Sequence, residues 1–438
     1  MAGSVPHGVL HRPHHTAAIA ADPDRADAAS ELAPDPRALR ALQAFEAKLA
    51  LVAKSVRLLP AITARNAAQE RARLEADLLG GLMPCPRFAY ASPRACNANL
   101  RWLDHLRTEA AQLPAAALYL DKLEELQLDV ALLASLGDAR LVRPLAARRF
   151  GTGEELIETG EGPVRLIDYS LRLLTGPSLR RRERARIPAD APEGEFSLRA
   201  LVEHIAQAAG LRVSVRVEPN LTAGAATGDH TVFIAQRDFG PREAWRLALH
   251  EVLGHLTAAQ NGSLQPLRLL EWGTAFSFAD QEGVALCIEA SFGVLDRARL
   301  RSLAGRVLAT RSMHAGAAFG ETARMLFRDH HFSAAEAIAI SERAYRGGGV
   351  ARDAGYLRGF LRVRGALASG ETTLDELRMG RVGLSALPEL RVLRAAGLVG
   401  APAHRPNFSR SFFSTSSGTV PWRLPPSEAA SLINVELT

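Results

Sequence analysis

The sequence predicts an α+β fold dominated by helices, on three observations. Leucine and alanine recur at helical spacing before residue 137 and again after residue 240. Two short runs, "LRVSVRVEP" and "HTVFIAQ", alternate apolar and polar residues as half-buried strands do, and the second leads into a further helix. No uninterrupted apolar stretch approaches the ~20 residues that would cross a bilayer, so a soluble cytoplasmic protein with no membrane partner is expected.

Residues 1–36, rich in Ala, Asp, Pro and His, show no period that could bury a face and read as a disordered tail. Residues 37–190 read as a helical N-terminal region. Its apolar stripes lie in "ALRALQAFEAKLALVAKSVRLL" and in "AALYLDKLEELQLDVALLASLG", which stops at Gly137. The region ends in a charged, solvated connector, "LRRRERAR". A second domain is expected over residues 191–400. It opens with the helix "SLRALVEHIAQAAG", then the two strands separated by a turn-rich "NLTAGAATGD", and continues as helices. An edge of that small sheet could hold an extended peptide. Residues 401–438 read as a Ser/Pro-rich surface tail.

The formal charge of +6 comes almost wholly from arginine, because Lys48, Lys54 and Lys122 are the only lysines. The excess is dispersed and not interleaved with stacking aromatics, which argues against a nucleic-acid partner. Cys85, Cys96 and Cys287 form no CxxC pair, which argues against a disulfide framework and a cysteine zinc site.

The segment "FGPREAWRLALHEVLGHLTAAQNG" carries the chemistry. Pro241 at the first position and Glu243 in the first turn start a helix, and Asn261-Gly262 read as its stop. Trp245, Ala248, Val252 and Leu256 form its apolar stripe. His250 and His255 are five residues apart, about 140° around a regular helix and too far to share one ion. Either a π-bulge, eased by Gly254, brings them together, or they are unrelated surface histidines. A third ligand would decide the matter, since a catalytic zinc takes three protein ligands. Glu282 offers one, on a second helix "FADQEGVALCIEASFG" with Asp280 as N-cap. Glu289, on the same face, suits an acceptor for a histidine N–H.

These motifs, "HEVLGH", "NGSLQPL", "QEGVA" and "YRGGGVARDAGYLRG", with "PCPRFAYASP" ahead of them, resemble a family. It comprises the bacterial QEGLA-motif proteins, named for a proposed effect on flavohemoglobin expression, and their animal relatives, the microtubule-associated tyrosine carboxypeptidases. The resemblance runs from about Pro36 to about Gly400. Three details differ from the family's usual sequence: Val252-Leu253-Gly254 replaces Ile-Gly-Thr, Val284 replaces Leu, and Ala351-Arg352-Asp353 replaces Thr-Lys-Asp.

The resemblance implies a zincin-like metallopeptidase core. It makes His250, His255 and Glu282 the expected zinc ligands and Glu251 the expected catalytic base. Arg346 and Tyr356 are the expected donors to the oxyanion, and Arg346 and Arg352 the expected partners of a substrate's terminal carboxylate. The expected function is a zinc carboxypeptidase trimming aromatic residues, Tyr or Phe, from a peptide or protein tail. The bacterial look of the composition makes tubulin an unexpected substrate. A regulatory protein with a structural zinc site is the alternative.

Overall fold

The computed structural model describes residues 35–91, 97–159, 162–175, 185–219, 221 and 223–406. Residues 1–34 of the expected disordered tail, most of the charged connector and most of the C-terminal tail lie outside these residues, while Asp35 and Pro36, placed in that tail, open a helix.

Helices dominate, as the sequence predicts. Asp35 caps Pro36–Ala53 by accepting the Arg37 N–H. Ala116–Ser135 coincides with the second apolar stripe, and a further helix beyond it, Ala139–Phe150, is capped by Asp138. One apolar cluster runs from Leu42, Phe45 and Leu49 through Tyr119 and Leu123 to Trp245, Val252 and Leu256. The N-terminal helices and the histidine-bearing helix are therefore packed against the same core. A second cluster, built on Leu303, Val307, Ala337 and Leu357, lies beyond it. Between the two sits the helix Ser277–Ser291, whose Val284 and Ile288 belong to the first cluster and Leu286 to the second. A helix buried all round has no polar face, and its Asp280, Gln281, Glu282 and Glu289 are all buried.

Two short sheets occur among the described residues. A hairpin, β1 (Leu156–Thr159) with β2 (Gly162–Arg165), lies in the region expected to be helical. The other sheet has the order β3-β5-β4. The strands β3 (Ser214–Glu218) and β5 (Thr231–Ala235) are parallel, and β4 (Ala225–Thr227) joins β5 antiparallel as an edge strand. The segment "NLTAGAATGD" reads as turn from its composition, yet its Ala-Ala-Thr forms that edge.

Two local expectations are corrected. The helix following the sheet does not stop at Asn261-Gly262 but runs to Ser263. Asn261 is buried there, donating its amide to the carbonyls of Arg378 (2.8 Å) and His404 (2.9 Å). Asp280 is not an N-cap: its helix starts at Ser277, and Asp280 instead accepts the Leu384 N–H at 2.9 Å. Gly254 lies within the widened His250–Leu256 turn, as expected from the sequence, without a positive φ, and it also makes space. A Cβ there would lie 2.9 Å from the Ala285 Cβ, so the glycine lets the two helices close on each other.

The same device joins Ser277–Ser291 to Gly355–Ala368. A Cβ on Gly283 would strike the Gly359 carbonyl, and a Cβ on Gly359 would strike the Ala279 carbonyl. "QEGVA" and "YLRG" are thus the two halves of one close helix crossing. Among the described residues no helix is long and apolar enough to cross a membrane.

Candidate metal centre

The histidine pair sits on a local change of helix type. Pro241–Leu249 is α-helical, His250–Leu256 is a π-helix, and Thr257–Ser263 is α-helical again. The widened turn brings His250 Nε2 to 3.2 Å from His255 Nε2. Glu282 Oε2, arriving from the neighbouring helix, lies 3.3 Å from the first and 3.6 Å from the second. The three form a group that could hold a metal ion.

Their spacing tests the fit. A tetrahedral ion with bonds of about 2.0–2.1 Å sets its ligand atoms about 3.3–3.4 Å apart. Glu282 Oε2 is also buried with no hydrogen bond of acceptable geometry, a vacancy a native carboxylate seldom leaves. The donors, two nitrogens and an oxygen, suit zinc.

Behind the ligands the polar contacts continue. His250 Nδ1 lies 2.7 Å from Glu289 Oε1, which fixes the ring and leaves Nε2 facing the centre. Glu289 is fully buried, with Arg246 at 3.8 Å and Arg299 at 3.9 Å. Burial works against a charged His250, but the close Glu282 carboxylate and the bond to Glu289 outweigh this and push its pKa up to about 10. Burial likewise favours a neutral Glu282, yet the two histidines hold it well below the usual carboxylate range.

Glu251 follows His250 and is buried. Thr227, at the end of edge strand β4, donates its hydroxyl to Glu251 Oε2 at 2.7 Å and lies 3.3 Å from the Glu251 carbonyl. The strand that composition hid therefore orients this carboxylate.

A cavity of about 890 Å³ opens from this centre, and His250, Glu251, His255, Glu282, Arg346, Arg352 and Tyr356 all line it. The structure brings every site residue expected from the sequence to one wall or another of a single space. Arg343 and Asp353 share it. Asp353 accepts from Arg343 at 2.5 Å and lies 3.5 Å from Arg346 and 3.8 Å from Arg306. Arg352 stacks on the Phe278 ring at 3.9 Å. One carboxylate thus faces several guanidiniums, and positive charge is left over.

Arg346 is buried, its bond to Asp353 is long, and its Nε has no partner. Burial pushes Arg306 down to about 9, with Arg343 adding repulsion. Burial raises the Tyr356 hydroxyl above its ordinary range, and the Glu282 and Asp353 charges reinforce this. Three consecutive glycines at positive φ, Gly347, Gly348 and Gly349, carry the chain between Arg346 and Arg352. Sequence reasoning missed Arg343 and Asp353. The signal for Arg343 was present, since it stands three residues before Arg346 and so at helical spacing from it.

Burial opposes ionisation of Asp353, but Arg343, Arg346 and Arg306 override it and hold the carboxyl below its usual range. Such a group stabilises the fold above its unfolded pKa of about 3.9, and that contribution fades as pH falls below it. Asp353→Asn is expected to cost about 3–5 kcal/mol at neutral pH, because it strands buried guanidiniums. Denaturant titrations should show the gap to wild type narrowing below about pH 4.

Two imidazoles and a carboxylate converging from adjacent helices, with a further glutamate held beside them over an edge strand, define a metallopeptidase-like core. The comparison with family profiles is more specific. The profile of the microtubule-associated tyrosine carboxypeptidase family matches residues 82–419, most of the chain, and the chain belongs to that family. The match starts later than the resemblance suggested, leaving the helices before residue 82 outside it, and reaches further at the C-terminal end. No curated protein and no solved structure matches the chain.

Proposed function

We propose that the chain is a zinc-dependent carboxypeptidase that removes the last residue, preferentially Tyr or Phe, from a peptide or protein tail. The observation that carries this reading is the meeting, in one cavity, of the His250–His255–Glu282 group with an arginine-rich wall. The first suits hydrolysis; the second suits a substrate that ends in a carboxylate.

His250, His255 and Glu282 would hold the ion. Bound zinc supplies Lewis acidity, which polarises a carbonyl and acidifies water near neutral pH. Glu251 takes the attacking water's proton and delivers it to the leaving amine, and Thr227 fixes the carboxylate for that task. Tyr356 donates to the developing oxyanion, for which a hydroxyl kept protonated is suited. Arg346, with its unpartnered Nε, receives the terminal carboxylate, and Arg352 adds charge. Phe278 and Trp272 among the lining residues favour an aromatic last side chain. The family's name specifies tyrosine and microtubules; for this chain the substrate is the free C-terminal tail of a peptide or protein.

The test is metal analysis of purified protein, then product mapping on peptides with varied last residues, each as free acid and as amide. One zinc per chain and products shortened by one residue from free acids are expected. Absence of metal, or equal cleavage of amides, would overturn the reading. Arg346→Met should raise KM for free-acid peptides by about tenfold or more, the scale of a lost charge-assisted bond of ~1.5–3 kcal/mol, with less effect on kcat.

A further inference from the structure

A π turn is rare, and one that sets the distance between two ligand atoms needs something to keep it from relaxing to α. The carbonyls of Glu251, Val252 and Leu253 are successive, and each has a side-chain donor beside it. Thr227 Oγ1 lies 3.3 Å from the first, Thr257 Oγ1 donates to the second at 3.0 Å, and Arg378 Nη1 donates to the third at 3.1 Å. Thr227 divides its hydroxyl with the Glu251 carboxylate, and Thr257 is part of the same helix. Arg378 is different. It is buried, it is charged, and it arrives from the end of the remote helix Leu374–Leu377.

Its position is fixed from several sides. Its Nε donates to the Leu374 carbonyl at 3.3 Å, and its Nη2 to Asp375 at 3.2 Å and to the Pro406 carbonyl at 3.3 Å. Its own carbonyl accepts the Asn261 amide at 2.8 Å. Arg378 therefore grips the histidine helix at two points, Leu253 inside the π turn and Asn261 in the α-helical turns beyond it. A brace across those two points resists rewinding of the segment between them, because rewinding would withdraw the Leu253 carbonyl and leave a buried guanidinium N–H without a partner.

We propose that Arg378 is a positioning residue that holds the π turn and, through it, the His250–His255 spacing that metal binding requires. The metal half of this statement rests on the zinc reading above; the brace itself does not. The experiment uses the full chain as wild type, Arg378→Met, Arg378→Lys and Asp375→Asn. Amide hydrogen exchange is followed in metal-free protein, and the metal-free proteins are then titrated with cobalt(II), read by its visible absorption.

In Arg378→Met, exchange over residues 250–257 should quicken at least tenfold while the helices 36–53 and 116–135 stay unchanged. Cobalt affinity should fall by about 10- to 100-fold, the range for losing a group that orients ligands from behind. Arg378→Lys, which keeps the charge and one donor, should recover part of both effects. Asp375→Asn, whose amide oxygen can still accept the Arg378 N–H, should match wild type. Unchanged exchange and affinity in Arg378→Met would overturn the proposal, as would faster exchange spread over the whole chain. Should Arg378→Met not fold, Arg378→Lys decides alone: wild-type exchange and affinity overturn the proposal, intermediate values support it. If wild type fails to bind cobalt, the zinc reading falls, while the exchange results still judge the brace.

Discussion

Glu251→Gln is expected to keep one metal ion per chain and to lose turnover by about 10²- to 10⁴-fold, the usual worth of a positioned general base. Glutamine is nearly isosteric, and its side-chain oxygen can still accept the Thr227 hydroxyl, so the local hydrogen bond survives. What goes is the capacity to take a proton from water. Because Glu251 is not among the three groups that converge on the metal centre, zinc content should not change. Parallel measurement of metal stoichiometry and kcat on a free-acid peptide checks both halves. Full activity in the variant would remove Glu251 from the mechanism, and lost zinc would make it a ligand. A regulatory protein with a structural zinc would behave otherwise, retaining its effect on a partner in spite of the substitution.

Gly359→Ala should be among the most damaging single substitutions outside the centre. Its Cβ would fall on the Ala279 carbonyl, one turn before Glu282, and a backbone atom has no rotamer by which to move aside. Overpacking of this kind costs about 1–3 kcal/mol and occasionally more, and the rigidity of the obstacle puts this case at about 3 kcal/mol or above. Separation of the two helices would also carry Glu282 away from the histidines. Denaturant unfolding and zinc content should therefore decline together, whereas Gly370→Ala, where a Cβ meets nothing and the cost is only that of a left-handed φ of 74°, about 1–2 kcal/mol, should leave zinc content intact.

Much of this arrangement was legible in the amino-acid sequence, and the exceptions have physical causes. The helical stripes and strands β3 and β5 are periodic, and periodicity follows directly from one-sided burial. The five-residue histidine spacing leaves two readings open, a widened turn or two unrelated histidines, since no regular helix would let the rings meet, and the helix is π there. Strand β4 escaped because Ala-Ala-Thr has neither alternation nor branched bulk. Its place is set by pairing with β5 and by its contact with Glu251. Gly254 and Gly283 were legible as glycines but not as contacts. A glycine in a helix can serve flexibility or proximity, and only the partner helix says which. Asp280 looks like a cap by residue type, yet tertiary contacts moved the helix start upstream. Arg343 and Asp353 lay hidden in an arginine-rich background, where no single guanidinium stands out until a buried carboxylate is found among them.

Since Ser277–Ser291 lends side chains to both apolar clusters, neither half of the molecule can melt while the other keeps that helix in register. Heating should consequently produce one cooperative transition, with metal release coinciding with it, so a bound ion would serve as a probe of the integrity of the whole architecture.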